Sequence, residues 1–261
     1  MEIKSSADFV RMTRTLLATS GFTRHERDGF VWWTGGAEDA PPLVLVHGVN
    51  DQAGTWFPIA GTLAKRFRVI VPDLPGHGES GPKEGPLPLS LMIDRLHEII
   101  PEHATLLGNS MGGWLAMFYA IVHPERVDRL VLESPGGLSR PLSAPLFTHD
   151  RDEALAILRA VHGPSYVAQP WVVDALLERA KDAPMLRLTE LTEHLLDERL
   201  HEIHVPTSIL WGADDGVVPR DYTEAVHAGI AGSTLHIIEG AAHIPHLQQP
   251  ERVLACLTSI F

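Results

Sequence analysis

The sequence is short of cysteine, of positive charge and of long apolar runs, and each shortage removes a class of protein. Cys256 is the only cysteine among 261 residues, so no internal disulfide framework holds the chain. None is needed, because a chain of this length buries roughly three quarters of the surface it exposes when unfolded. Lys and Arg number 21 against 33 Asp and Glu, for a net charge of −12. So acidic a surface repels phosphate backbones and anionic lipid, which argues against nucleic acid or a membrane surface as the main partner and for a small molecule. The longest uninterrupted apolar run, Trp114 to Val122, falls far below the ~18 residues of a spanning helix and reads as a buried one. Between Met1 and Thr23, charges at Lys4, Asp8, Arg11 and Arg14 break every apolar stretch. No secretory apolar core fits there, and a cytoplasmic location is expected.

What the chain does contain is an ordered alternation of strands and helices. Ser5 followed by Asp8 forms a capping pair ahead of a short amphipathic helix carrying Phe9, Val10, Leu16 and Leu17. Phe22 to Arg27 and Phe30 to Trp33 flank Asp28-Gly29, a strong hairpin signal. Beyond residue 40, continuous apolar strands are expected at Leu43 to Val46, Arg68 to Val71, Thr105 to Leu107, Val127 to Leu132, Ser208 to Trp211 and Leu235 to Ile238. Strands without alternation are buried on both faces, as in a parallel sheet covered by helices. Helices are expected at Trp56 to Arg66, Leu89 to Ile100, Met111 to Val122, Arg220 to Ala228 and Pro250 to Ile260. The layout is an α/β doubly wound sheet. Ser139 to Leu200 interrupts it with helical patterning only, at the sheet end where loops build a site, and reads as a lid.

The chemistry centres on Gly108-Asn109-Ser110-Met111-Gly112, between the strand Thr105 to Leu107 and the helix Met111 to Val122. Gly-x-Ser-x-Gly gains meaning from this strand-turn-helix context. The serine sits in strained backbone geometry, and side chains two positions before or after it would collide across the turn. Its hydroxyl lies at a helix N-terminus, where free amides favour developing negative charge. A serine nucleophile also needs an imidazole base oriented by a carboxylate, in the chain order Ser, Asp, His. Gly212 to Pro219 follows the strand Ser208 to Trp211 and offers two adjacent acids, Asp214 and Asp215. His243 follows the strand Leu235 to Ile238 in a loop at the same sheet edge and is the candidate base.

From about Phe22 to the C-terminus the chain resembles the α/β-hydrolase superfamily, in its serine-nucleophile esterase and meta-cleavage-product hydrolase branch. Four motifs carry the likeness: His47-Gly48, the turn Asp73 to Ser80, the serine elbow, and Gly212 to Pro219 with His243. The resemblance implies an α/β-hydrolase fold, mostly parallel, with a helical lid inserted after the sixth strand. The core then comprises residues 1–138 and 201–261, and the lid residues 139–200. It implies an oxyanion hole made by the Val49 and Met111 amides, and it selects Asp215, three residues after Gly212 and four before Pro219, over Asp214. Relatives with aspartate at the elbow are dehalogenases or epoxide hydrolases, and Ser110 departs from both.

Ester hydrolysis through an acyl-enzyme on Ser110 is the leading expectation, with a small to medium apolar substrate under the lid. Trp114, Trp171, Met185, Leu186 and Leu188 are candidates for an apolar acyl site, although each residue type more often packs a core. Carbon–carbon hydrolysis of the meta-cleavage type competes, because Gly-Asn-Ser-Met-Gly-Gly and Ser134 to Leu138 resemble that branch. Arg179 or Arg187 would then hold a substrate carboxylate. Ile244, where that branch generally has tryptophan, and Gly48 to Asp51 depart from its pattern. A ligand-sensing receptor on the same fold is a third reading, disfavoured by the complete Ser, Asp and His set. No cofactor or metal is expected: His97-Glu98 and His201-Glu202 lack a further histidine at zinc spacing, and Pro245 separates His243 from His246. His246 is expected at the pocket mouth or in packing, His47 and His77 as loop and turn residues, and Cys256 in the core.

Overall fold

The apolar runs assemble into one eight-stranded sheet in a computed structural model that describes residues 5–144 and 147–261. Lys4, Pro145 and Leu146, counted in the expectations above, lie outside those residues. The strands are β1 (Thr23–Arg27), β2 (Phe30–Gly35), β3 (Pro42–Val46), β4 (Arg68–Pro72), β5 (Ala104–Asn109), β6 (Val127–Glu133), β7 (Thr207–Gly212) and β8 (Thr234–Ile238). Their spatial order is β1-β2-β4-β3-β5-β6-β7-β8. Only the β1–β2 and β2–β4 pairings are antiparallel. The hairpin turns at Asp28 and Gly29, both at positive φ, as its two-residue loop requires.

Strands β3 to β7 are buried on both faces because alternate residues of each run feed opposite cores, whereas the edge strands β1 and β8 are largely exposed, so Leu235 to Ile238 is not the doubly buried strand its apolar run implies. Val44, Val46, Leu106, Leu130, Leu132 and Ile209 pack on one side, with α3 (Leu89–Ile99), α4 (Met111–Val122) and α7 (Arg220–Gly229). Leu43, Leu45, Leu107, Val131 and Leu210 pack on the other, with α1 (Ser6–Thr19), α2 (Phe57–Leu63) and α9 (Pro250–Ile260). Ser5 caps α1 by accepting the Asp8 amide at 3.1 Å. Helix α4 is apolar all round because Met111 to Ala120 are all buried. Cys256 is half-buried against the second core, and burial pushes its thiol up.

Strand register brings the site-bearing ends to one edge. Val46 pairs with Gly108, Asn109 with Glu133, Glu133 with Leu210, and Gly212 with Ile238. The segment between β6 and β7 holds α5 (Arg151–His162) and α6 (Pro170–Ala180), which pack on each other through Ala154, Leu158 and Val173. It is not purely helical as its pattern implies: Leu188–Thr189 pairs in parallel with Leu87–Pro88. A pairing two residues long has no periodicity for a sequence to display. The helix expected over Trp56 to Arg66 is likewise shorter, because Ala53–Trp56 forms a tight 3-10 turn before Pro58 opens α2. One further helix, α8 (Pro245–Gln248), has no counterpart among the expected elements.

Candidate active site

Ser110 sits between β5 and α4 at φ 54° and ψ −117°, a strained conformation for a residue with a side chain. Its neighbours leave no alternative to glycine. A Cβ on Gly112 would stand 2.1 Å from the Val46 carbonyl oxygen, and one on Gly108 would stand 2.3 Å from the Gly112 carbonyl oxygen. The turn is also stitched to β6, since the Ser110 amide donates to the Glu133 carbonyl at 2.9 Å and the Gly136 amide donates to the Ser110 carbonyl at 3.0 Å.

His243 and Asp215 meet as their order along the chain implies. The imidazole Nδ1 donates to Asp215 Oδ2 at 3.0 Å and reaches Oδ1 at 3.2 Å. Both side chains are buried, Asp215 completely. Asp215 Oδ1 also accepts the Val217 and Val218 amides at 2.8 and 3.0 Å. Burial alone would raise the Asp215 pKa, but the His243 charge and these hydrogen bonds outweigh it and hold the carboxyl below its usual range. Ser134, at φ 46°, turns its buried hydroxyl toward the same carboxylate without closing a full hydrogen bond, and adds a weaker pull. Asp214 is exposed and, among the described residues, bonds only through its backbone, to Ala241.

Asn109 ties the serine turn to the histidine loop, its Nδ2 donating to the His243 carbonyl at 2.9 Å and to the Glu133 carbonyl at 3.2 Å. Among the described residues no hydrogen bond joins the Ser110 hydroxyl to His243. Such bonds commonly form only when substrate is bound. The C-terminal end of α5 holds both remaining loops: the Ala160 carbonyl accepts the Gly216 amide at 3.0 Å, and the Val161 carbonyl accepts the His243 amide at 3.1 Å.

Gly48 lies against the serine, since a Cβ there would come within 3.3 Å of Ser110 Cβ. The His47 ring fixes this loop. Its Nε2 accepts the Leu74 amide at 3.0 Å, which leaves the proton on Nδ1 to be donated to the Gly48 carbonyl at 2.7 Å. Val49 follows and is half-buried. Among the described residues, neither the Val49 nor the Met111 backbone amide donates a hydrogen bond to another group. The turn after β4 is braced by Asp73, whose carboxylate accepts the Ala53 amide at 2.6 Å and the Glu79 amide at 2.8 Å. In that turn His77 is buried, and desolvation pushes its pKa down to about 3, with His47, Arg179 and Arg187 adding in the same direction.

The side chains of the remaining candidates bond to groups other than Ser110, Asp215 and His243 where bonds are made. Trp114 is buried and donates its indole N–H to the His194 carbonyl at 2.8 Å. Arg179 donates to the Asn50 carbonyl at 2.6 Å, while Arg187 donates to the Gly85 and Pro82 carbonyls, each at 2.8 Å. Trp171, Met185 and Leu188 are half-buried and Leu186 is exposed. His246 is not at a pocket mouth. It is fully buried, stacks on Trp56 with ring centroids 4.0 Å apart, and binds the Glu133 carboxylate through both its backbone amide and Nδ1. Glu133 lies outside the motifs, and Asn109 and Ser134 lie inside them without a role, yet the contacts of all three bring them to the candidate site. A lone carboxylate closing an otherwise apolar strand end, as Glu133 does, was the available signal. Among the described residues no three His, Cys, Asp or Glu side chains cluster as a metal ion requires.

The sheet order, the strained serine turn and the imidazole–carboxylate pair at the strand ends define the α/β-hydrolase class of fold. The chain belongs to the alpha/beta hydrolase family, whose profile it matches over residues 43–255. It is 32% identical over 254 residues to a pimeloyl-(acyl-carrier protein) methyl ester esterase of Edwardsiella ictaluri, covering 87% of this chain and 95% of that one. It is 28% identical over 233 residues to a 2-hydroxy-6-oxononadienedioate/2-hydroxy-6-oxononatrienedioate hydrolase of Cupriavidus pinatubonensis, covering 78% and 81%. A carboxylesterase of Bacillus subtilis superposes with a TM-score of 0.78 at 22% identity over 98% of each chain. Membership of this family, with an esterase among the relatives, supports an enzyme with hydrolase chemistry.

Proposed function

We propose that this protein is a serine hydrolase that cleaves carboxylic esters of small to medium apolar substrates through an acyl-enzyme on Ser110. His243 takes the proton from the Ser110 hydroxyl as the oxygen attacks the ester carbonyl. The Val49 and Met111 amides stabilise the resulting oxyanion, and His243 returns the proton to the leaving alcohol. Water, activated by the same imidazole, then releases the acid and regenerates Ser110. Asp215 fixes the imidazole tautomer and stabilises the imidazolium. The observation that carries this reading is the buried Asp215–His243 bond at the same strand edge as the strained Ser110 turn.

In this reading residues 1–138 and 201–261 form the catalytic core, in the cytoplasm, and 139–200 cover the site as a lid. The bonds from Ala160 and Val161 to Gly216 and His243 favour a lid whose moving part begins beyond α5, at Gly163. Carbon–carbon hydrolysis is the second reading, favoured by the Cupriavidus relative and by the resemblance of Gly108 to Gly113 and Ser134 to Leu138 to the meta-cleavage branch. A panel of p-nitrophenyl esters of rising chain length, run beside a ring-fission dienone, separates the two. Faster ester turnover supports the esterase, and faster dienone turnover reverses the order.

A further inference from the structure

The peptide unit between Gly48 and Val49 carries the candidate oxyanion donor, and its two sides are held differently. Upstream, the Gly48 carbonyl is fixed by His47, a residue of the sheet edge. Because a trans peptide places C=O and N–H on opposite sides, that bond also sets the direction of the Val49 N–H. Downstream, the chain turns at Asn50, which adopts φ 60°, a left-handed conformation that asparagine tolerates better than most residues. Among the described residues no bond from the sheet reaches Asn50 itself, and further along the loop is anchored by the Ala53 amide on Asp73. Both bonds on Asn50 come from the segment between β6 and β7: Arg179 donates to its backbone carbonyl at 2.6 Å, and the Met185 amide donates to its side-chain Oδ1 at 3.1 Å. The first is charge-assisted and the second uses a fixed backbone donor, so together they define the position of the turn.

We infer that Asn50 is a positioning residue that couples docking of the β6–β7 segment to the geometry of the Val49 oxyanion amide. With the segment docked, the loop is pinned on both sides of Val49 and the donor is preorganised. With it undocked, His47 and the Ala53–Asp73 bond still hold the two ends of the loop, but the bonds from Arg179 and Met185 to Asn50 are gone, and the amide direction is set less tightly. Substrate entry under the segment and completion of the oxyanion hole are thereby linked, so that full catalytic power follows closure. Arg179 acts here through a backbone carbonyl, with no contact to substrate required. The inference rests on the serine-hydrolase reading above.

Three substitutions test it with p-nitrophenyl butyrate as substrate. Asn50→Gly keeps the left-handed turn and removes the acceptor for Met185. Arg179→Met removes the donor to the carbonyl, and Arg179→Lys restores a cationic donor. Loss of orientation at an oxyanion donor acts in the transition state, so Asn50→Gly and Arg179→Met are expected to lower kcat about tenfold with KM within about threefold of wild type. Arg179→Lys is expected to recover most of that loss. Arg151→Met, which breaks a surface ion pair between α5 and α6, is expected to leave kcat unchanged. An active wild type matched in kcat by Asn50→Gly, or an Arg179→Met variant that raises KM at constant kcat, overturns the coupling alone. A wild type that neither turns over esters nor takes a fluorophosphonate label overturns the hydrolase reading and the coupling with it.

Discussion

Glu133 and His246, 113 positions apart, lock the end of β6 to α8 inside the protein. The Glu133 carboxylate accepts the His246 backbone amide at 2.9 Å and pairs with its Nδ1, while the Glu133 backbone carbonyl accepts the Ser110 amide. One residue thus supports the serine turn with its main chain and the histidine loop with its side chain. Removing it leaves the buried His246 donors unpaired. Glu133→Ala is expected to cost about 3–5 kcal/mol in urea unfolding, and Glu133→Gln, which keeps an acceptor, substantially less.

The glycines of the serine turn differ sharply in what surrounds them. Gly112→Ala places a methyl group against the backbone carbonyls of Val46 and His47, which cannot swing aside as a side chain can. The expected loss is at least the 1–3 kcal/mol typical of overpacking. Gly136 has nothing closer than 3.7 Å to an added Cβ and no positive φ, so Gly136→Ala is expected within about 0.5 kcal/mol of wild type. Thermal melts of the two variants side by side check the contrast.

Acid stability depends on His77. Its pKa falls from 6.5 to about 3 on folding, so the unfolded chain binds the proton more readily than the native one. Stability contributed by the neutral ring is therefore full above pH 6.5 and is lost as the pH falls from there toward 3, by on the order of 5 kcal/mol in all. Asp215 adds to the same trend lower down, since its depressed pKa gives stability that disappears as the pH falls through the folded value. His77→Asn keeps a donor for the Pro75 carbonyl but does not titrate. Its urea midpoint is expected to vary less than that of wild type between pH 6.5 and 4.5, and an unchanged slope argues against the assignment.

The two adjacent aspartates are predicted to behave differently. Asp215→Asn keeps the shape of the buried pair but removes the charge that holds the His243 tautomer, with an expected loss of about four orders of magnitude in kcat. Asp214→Asn alters an exposed side chain and is expected to retain near wild-type turnover. Equal losses in both variants contradict the assignment of the acid.

Much of the architecture could be read from patterning, because buried parallel strands announce themselves as unbroken apolar runs. Val127 to Leu132 and Ser208 to Trp211 fall within the observed β6 and β7, and Met111 to Val122 matches α4 to the residue. The Ser110, Asp215 and His243 loops could be located because each follows a strand end in a fixed order. What escaped was contact made only by topology. Glu133 meets His246, Asn109 meets the His243 carbonyl, and Arg179 meets Asn50 across separations that no local period encodes. His246 illustrates the limit: three residues from the candidate base it reads equally as a pocket-mouth or a packing residue, and only the turn of α8 decides for the core.

The central claim is that Ser110 is an activated nucleophile. The most direct measurement is intact mass after incubation with a fluorophosphonate, for wild type and Ser110→Ala, beside p-nitrophenyl ester turnover by both. The account predicts one adduct on wild type, none on the variant, and a fall in turnover of several orders of magnitude. An unlabelled wild type, or a Ser110→Ala variant with near-normal turnover, contradicts it.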